Sequence, residues 1–238
     1  MGALFLIFGG RSPIALSVCD QLVKSGAKVH LATRKIDENI QKISRKLQIE
    51  ELHEIDLRDT EISRSRVRSI VEANAELTGL AFIHRYRELN FSASEQHAVE
   101  VLSPFQIIED LSQVSRTQEL SVVLTTSPAA DRIVSDQSFY YHASKAATNQ
   151  IVRYSAVNFA KSKLRTNGVN PGTFVFKDRA AEYYKQNPQI VAQAEQSVPL
   201  GRMASVSEIA SVFLFLLSPA SSFVNGQIIN VDGGISSL

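Results

Sequence analysis

The sequence has a single cysteine and no excess of charge of either sign. Cys19 cannot form a disulfide within the chain, so a disulfide-stapled secreted domain is excluded and a reducing cytoplasm is expected. Because Cys19 lies among apolar residues of a predicted helix, we interpret it as a small core residue. The 25 Lys and Arg residues balance 24 Asp and Glu residues, which favours a small-molecule ligand over nucleic acid.

Long hydrophobic runs are also missing. The opening run at 3–8, ALFLIF, has no basic region before it and is too short for a signal peptide or a membrane span. We therefore expect a buried strand there and no membrane association. With 44% hydrophobic residues among 238, the chain can bury one substantial core, so a single domain over 1–238 is expected.

Short apolar runs alternate with amphipathic stretches along the whole chain. Such alternation predicts a doubly wound α/β Rossmann fold with a roughly seven-stranded parallel sheet. The predicted strands are 3–8, 28–33, 52–56, 79–84, 120–126, 164–170 and 226–232, and the predicted helices are 13–25, 37–47, 60–77, 95–115, 138–162 and 205–217. The segment 172–204 is predicted to be irregular, with a substrate lid at about 174–204.

A glycine-poor turn follows the first strand, in FGGRSPIA at 8–15. In a doubly wound fold a ligand binds where the first strand hands over to the first helix. Gly9 suits a tight turn, and Gly10 allows a close approach to a ligand. The Ser12 hydroxyl and the Ile14 amide are expected to hold a pyrophosphate. The alternative is an ordinary strand-to-helix turn without a ligand.

The strongest chemical pattern lies in TTSPAADRIVSDQSFYYHASK at 125–145. Tyr141 and Lys145 are four residues apart on a predicted helix and so share a face. An ammonium beside a phenol favours the phenolate, which suits proton transfer. Ser127 follows the fifth strand and can donate a hydrogen bond to the same substrate oxygen. A chance Tyr and Lys pair on an exposed helix is the alternative, and Tyr140 is expected only to pack or line the pocket.

The chain resembles the short-chain dehydrogenase/reductase family over nearly its whole length. The resemblance rests on YHASK at 141–145, on Ser127, on GVNPGTF at 168–174 and on the tail at 198–234. It is similar to the branch that contains 3-oxoacyl-carrier-protein reductases and many sugar, polyol and steroid dehydrogenases. The resemblance implies NAD(P)(H)-dependent interconversion of a carbonyl and an alcohol by a homo-oligomer, a tetramer or a dimer.

The resemblance also implies roles for individual residues. Tyr141 is the general acid/base, Ser127 orients the carbonyl, and Lys145 favours ionisation of the tyrosine while binding the nicotinamide ribose. Asp56 contacts adenine, for which a helix cap or a surface charge is the alternative. Pro171 and Gly172 match the segment that lies beside the nicotinamide. The alternative is an ordinary turn.

Several positions depart from the family pattern. HRYR at 84–87 replaces N-N-A-G, Phe176 replaces a threonine, and of the loop glycines only Gly9 is in register. Glu100 takes the place of an asparagine that helps to hold a water chain, so it is either a proton relay or a glutamate turned to solvent. We favour an enzyme; the alternative is a pseudoenzyme that binds nucleotide or acts as a partner subunit.

The second strand ends in ATR at 32–34, which bears on the choice of cofactor. Sites that prefer NAD place a carboxylate here, whereas Thr33 is neutral. Arg34 and Arg11 can contact a 2′-phosphate, so NADP(H) is expected over NAD(H). The substrate stays open among an acyl thioester, a sugar ketone and a small cyclic ketone. The lid segment is expected to close over the substrate, and an ordinary amphipathic surface helix is the alternative. It offers these contact candidates: Lys177, Arg179, Tyr183, Tyr184 and Lys185.

Overall fold

The central element is a parallel sheet. The structure is a computed structural model, which describes residues 2–177 and 180–238. Within these residues seven strands pair in the order β3-β2-β1-β4-β5-β6-β9, all parallel, which confirms the predicted doubly wound Rossmann fold. The strands are β1 (Leu4–Phe8), β2 (Lys28–Thr33), β3 (Glu51–Glu54), β4 (Leu77–Phe82), β5 (Leu120–Thr125), β6 (Leu164–Asn170) and β9 (Ile228–Asn230).

Helices cover both faces of this sheet. On one face α1 packs with α9, and on the other α3 packs with α5. Each face carries its own cluster of buried apolar side chains. The helices are α1 (Pro13–Lys24), α2 (Glu38–Leu47), α3 (Thr60–Ala73), α4 (Ala93–His97), α5 (Ser103–Gln113), α6 (Phe139–Asn158), α7 (Ala181–Gln186), α8 (Pro188–Ser197) and α9 (Val206–Leu217). None of the helices in the described part of the chain is long and apolar enough to cross a membrane.

The helix predicted over 95–115 is present, but it is not α-helical throughout. A π-helical turn, Ala98–Leu102, separates α4 from α5. Pro104 has no N–H, so in a continuous α-helix the carbonyl of Glu100 would lose its partner. The backbone N–H of Ser103 instead donates to the Ala98 carbonyl, and the Thr148 hydroxyl donates to the Glu100 carbonyl at 3.4 Å. The resulting bulge fixes the position of Glu100.

The segment 172–204, predicted to be irregular, contains α7 and α8 and a small second sheet. In that sheet β7 (Val175–Phe176) pairs with β8 (Ala204–Ser205). The segment is rich in Ala, Gln and Glu, and Pro188 stands at the first position of α8, so local preference favours helix there. Arg179 lies outside the described residues. The lid itself stays a prediction.

The predicted core residue Cys19 is fully buried on α1. Burial raises the pKa of its thiol to about 12, so it stays protonated and unreactive at neutral pH.

Candidate active site

The predicted site residues follow the carboxyl ends of central strands of the sheet. The Gly9 turn follows β1, Ser127 follows β5, and Pro171 follows β6. The strand order reverses between β1 and β4, where the carboxyl ends of parallel strands open a crevice. The fold therefore gathers these residues around one crevice, although they are spread over more than half of the sequence.

The turn after β1 has a backbone that only glycine accommodates. Gly9 has φ +117°, and a Cβ on it would lie 2.5 Å from the Ile83 carbonyl oxygen. The N–H groups of Gly9 and Gly10 donate to the Ala32 carbonyl at 3.1 and 3.3 Å. The Ser12 hydroxyl caps α1 by accepting from the Ala15 N–H at 3.4 Å. The turn thus leads directly into a helix N-terminus, as a phosphate-binding turn requires.

Tyr141 and Lys145 lie one turn apart on α6, with their side chains together. The Ser138 hydroxyl caps this helix by accepting from the Tyr141 N–H at 3.2 Å. The ammonium of Lys145 is 5.6 Å from the centre of the Tyr141 ring and donates to the Thr125 carbonyl at 3.3 Å. Lys145 is buried, whereas Tyr141 is partly exposed. A fixed cation therefore faces a tyrosine that a ligand can reach.

Ser127 is buried just beyond β5. It caps the short turn Pro128–Ala130 by accepting from the Ala129 N–H at 3.2 Å, and this turn packs against α6. Because a hydroxyl both accepts and donates, its proton stays available for a second oxygen.

Glu100 is not turned to solvent, so that interpretation is wrong. Its side chain is 1% exposed, and its Oε2 lies 2.9 Å from Lys145 Nζ. Its Oε1 accepts from the Tyr86 N–H at 2.9 Å. Burial alone raises the pKa of Glu100, but the charge and hydrogen bond of Lys145 outweigh it, so the net pKa is lowered. The Glu100 carboxylate is therefore charged at neutral pH and lies directly against the Lys145 ammonium.

A second cation reaches the tyrosine, at a position for which the sequence pattern predicted no role. The guanidinium carbon of Arg85 is 4.2 Å from the centre of the Tyr141 ring, closer than the Lys145 ammonium. Arg85 Nη2 donates to Gln137 Oε1 at 2.5 Å, which holds the arginine in place. The replacement of N-N-A-G by HRYR was the available signal. Arg85 thus places positive charge on the exposed side of the ring.

His84 precedes Arg85 and is neutral at pH 7. Its Nε2 lies 2.8 Å from the Val99 carbonyl, so Nε2 carries the proton. Its Nδ1 has no hydrogen-bond partner among the described residues. Burial lowers the pKa of His84 to about 4, against the opposing effects of the Val99 hydrogen bond and Glu100.

Both arginines expected at a 2′-phosphate are paired with carboxylates. Arg34 Nη1 contacts Glu88, and Arg11 Nη2 donates to Asp37 at 2.5 Å. Both arginine side chains are 53% exposed. Thr33 is buried at the end of β2. These arginines are therefore not free, and their contact with a 2′-phosphate stays a prediction.

Asp56 is not a helix cap, because Asp59 caps α3. Its carboxylate instead accepts from the Arg58 side chain at 2.5 to 3.1 Å. Burial raises the pKa of Asp56, but the Arg58 hydrogen bonds and charge bring it below its usual range. Asp56 is therefore a surface carboxylate held by a neighbouring arginine, and contact with adenine stays a prediction.

The Pro171–Gly172 turn is tightly packed against the C-terminal segment. Gly172 has φ +69°, and a Cβ on it would lie 2.7 Å from the Asp232 Cβ. The Gly172 N–H donates to Asn170 Oδ1 at 3.1 Å. The turn is fixed on both sides, so it can form one wall of the crevice.

Comparison with known proteins identifies the family. A family model described as enoyl-(acyl carrier protein) reductase matches residues 9–236. A tropinone reductase homolog of Arabidopsis thaliana is 28% identical over 252 residues, which cover 99% of this chain and 92% of the relative. Galactitol 2-dehydrogenase (L-tagatose-forming) of Cereibacter sphaeroides is 26% identical over 242 residues, which cover 98% of this chain and 94% of the relative.

Solved structures share the fold. A 3-oxoacyl-(acyl-carrier protein) reductase from Brucella melitensis, solved with NAD, has a TM-score of 0.81 at 21% identity and covers 100% of this chain and 98% of its own. A gluconate 5-dehydrogenase from Burkholderia cenocepacia, solved with NADP and tartrate, has a TM-score of 0.80 at 21% identity, with 100% and 96% covered. The chain therefore belongs to the short-chain dehydrogenase/reductase family of NAD(P)-dependent oxidoreductases, which interconvert carbonyl and alcohol groups.

Proposed function

We propose that the protein interconverts a ketone and a secondary alcohol with NADP(H), using Tyr141 as general acid/base. The observation that carries the proposal is the cluster around Tyr141: a buried ammonium on one side of the phenol and an exposed guanidinium over its ring. The two cations place positive charge beside the phenol that would exchange the proton. Tyr141 would give its proton to the carbonyl oxygen, and the Ser127 hydroxyl would donate to the same oxygen.

The residues of the crevice fit a nicotinamide dinucleotide. Gly9 and Gly10 let the turn pack against Ile83 and Thr33, where a Cβ would collide. Ser12 and Ile14 stand at the start of α1, where backbone N–H groups can point at a phosphate. We expect these four residues to hold the pyrophosphate and Lys145 to bind the ribose. When bound, the nicotinamide supplies or accepts the hydride. Pro171 and Gly172 would form the wall beside it.

The balance of charge around Tyr141 suggests that Arg85 is needed as a source of positive charge. Because Glu100 offsets the charge of Lys145, the lysine alone leaves little net positive charge beside the phenol. The Arg85 guanidinium has no carboxylate in its described side-chain contacts and is the nearer cation. We infer that Arg85 supplies net positive charge that the Lys145–Glu100 pair lacks.

The preference for NADP(H) rests on Thr33 and Arg34. A neutral residue at the end of β2 does not repel a 2′-phosphate, and Arg34 lies next to it on the surface. Exposed ion pairs contribute little to stability because water and salt screen them. Arg34 can therefore exchange Glu88 for a phosphate at little cost, and Arg11 can exchange Asp37.

We also propose that the protein is a homo-oligomer and is cytoplasmic. Two apolar side chains on the outer face of α6, Tyr154 and Val157, are 47% and 78% exposed. A second copy packed against this face would cover them, and the mass in solution tests this homo-oligomer. A cytoplasmic location fits the buried thiol of Cys19.

A pair of adjacent tyrosines provides the test. Tyr141→Phe should keep the fold and the NADPH affinity and should lower turnover of ketones by about 10²- to 10⁴-fold, the usual contribution of a general acid. Tyr140→Phe is the matched control and should keep activity, since Tyr140 packs against Phe91 with ring centres 5.3 Å apart. The screen should cover acyl thioesters, sugar ketones and small cyclic ketones. Near wild-type turnover by Tyr141→Phe would overturn the assignment.

A second candidate function is a pseudoenzyme that binds nucleotide without efficient turnover. The observation that favours it is the pairing of Lys145, Arg34 and Arg11 with carboxylates. Tight dinucleotide binding by the unmutated protein without turnover of any ketone in the screen would support this candidate.

A further inference from the structure

Two histidines and a glutamate form a compact cluster on β2 and β3, outside the candidate active site. In the strand register His30 pairs with Glu51, and Ala32 pairs with His53. Alternate residues of a strand point to the same face, so both histidines and the glutamate project from one face of the sheet. The β3 strand is at the edge of the sheet, which leaves one side of the cluster open.

The separations in this cluster are close to those around a tetrahedral metal ion, to which His30 would give either Nδ1 or Nε2 and not both. His30 Nδ1 and His53 Nε2 are 3.0 Å apart. Glu51 Oε2 is 3.8 Å from His53 Nε2 and 3.8 Å from His30 Nε2. One ligand atom from each residue lies within 4.8 Å of the other two. Tetrahedral zinc holds nitrogen and oxygen ligands at about 2.0–2.2 Å, so its ligand atoms lie about 3.3 Å apart. Small side-chain movements would therefore complete the site.

Burial and ligand type also fit zinc. His30 is 3% exposed, so its ring is held by the surrounding protein, whereas the Glu51 side chain is 57% exposed. Buried ligands fix the geometry of a site, and an exposed ligand leaves a path for the ion. A hydrogen bond between the two imidazoles accounts for His30 and His53 alone. It does not account for the carboxylate that lies close to both.

We propose that His30, Glu51 and His53 bind a zinc ion that joins the edge strand β3 to β2. Nitrogen from two histidines and oxygen from one carboxylate form a common zinc ligand set, and water would complete the coordination. Because both strands supply ligands, bound zinc stabilises their pairing. The ion acts on stability and takes no part in hydride transfer.

The test uses cobalt(II) as a spectroscopic probe and zinc as its competitor, with untagged protein. The unmutated protein should bind one cobalt ion per chain with a visible absorption band of tetrahedral type, and one equivalent of zinc should abolish the band. Zinc should also raise the melting temperature. His53→Gln and Glu51→Gln should both lose the band and the thermal shift. His97→Gln is the matched control, since His97 is exposed on α4, outside the cluster.

Three outcomes would overturn the proposal. The unmutated protein could fail to give the cobalt band, or His53→Gln could keep it, or His97→Gln could lose it together with the cluster variants. Far-ultraviolet circular dichroism of each variant shows whether it is folded, and Glu51→Gln at an exposed position gives a folded test if His53→Gln is unstable. None of these measurements requires turnover, so the result does not depend on the proposed function.

Discussion

The two ends of the crevice are built from charges in different surroundings. At the Tyr141 end, Lys145 and Glu100 form a buried pair, each no more than 4% exposed. At the cofactor end, Arg34 and Arg11 pair with carboxylates while more than half exposed. A buried pair fixes geometry and is costly to break, whereas an exposed pair exchanges partners easily. We therefore expect a rigid arrangement of charge at the Tyr141 end and easier exchange of partners at the Arg34 end.

The largest expected effect comes from breaking the buried pair. Lys145→Met leaves the Glu100 carboxylate buried without its cation, which should lower the free energy of unfolding by about 3–5 kcal/mol and abolish turnover. The double variant Lys145→Met/Glu100→Gln removes both charges and should recover most of the stability but no activity. Urea unfolding measures the first effect. A single variant within 1 kcal/mol or so of the unmutated protein would contradict the described pair.

A smaller effect should come from His84, next to the same pair. Its pKa of about 4 lies below the usual 6.5, so the unfolded chain binds the proton more readily between these values. The free energy of unfolding therefore rises with pH across this window. It should fall by about 2 kcal/mol when the pH is lowered from 7 to 5.

Urea unfolding at both pH values checks this loss. His84→Gln should reduce it, and the exposed His97→Gln should not. An equal loss in all three proteins would show that other groups cause it.

At the Arg34 end the expected effect is smaller. Arg34→Ala should weaken NADPH binding about tenfold, equivalent to one hydrogen bond to a charged group of about 1.5 kcal/mol, and should leave NADH binding nearly unchanged. Lys35→Ala, at the next exposed position, is the matched control. Binding titrations at fixed ionic strength measure both. If the unmutated protein bound NADH as tightly as NADPH, the proposed preference would be wrong.

The smallest expected effect comes from Arg85. This arginine is exposed, like Arg34 and Arg11, but its guanidinium lies over the ring of Tyr141. An exposed cation–π contact contributes about 0.5–1 kcal/mol, so Arg85→Ala should lower turnover about threefold. Arg85→Lys keeps the positive charge and should restore part of the loss. Equal turnover by Arg85→Ala and the unmutated protein would show that Arg85 only packs against the ring.

Sequence patterns predicted the strands, the helices and the fold class because local signals in the sequence determine them. The buried strands read as apolar runs, and helix starts follow capping residues such as Ser12, Ser138 and Ser205. Spacing also placed Tyr141 and Lys145 on one face of α6.

The charges around Tyr141 could not be predicted in this way, because they come from distant parts of the chain. Glu100 lies in a π-helical turn that precedes Pro104, and its buried carboxylate meets Lys145 of another helix. Arg85 acquires a role only where the end of β4 meets α6. Local periodicity carries no information about such contacts.

Transfer of deuterium from labelled cofactor tests the central claim most directly. The unmutated protein would be incubated with NADPH deuterated at C4 and each ketone of the screen, and the alcohol would be analysed by mass spectrometry. Our account predicts an alcohol that carries one deuterium on carbon with the unmutated protein and with Tyr140→Phe, and almost none with Tyr141→Phe. Tight NADPH binding without deuterium in any product, or equal transfer by Tyr141→Phe, would contradict it.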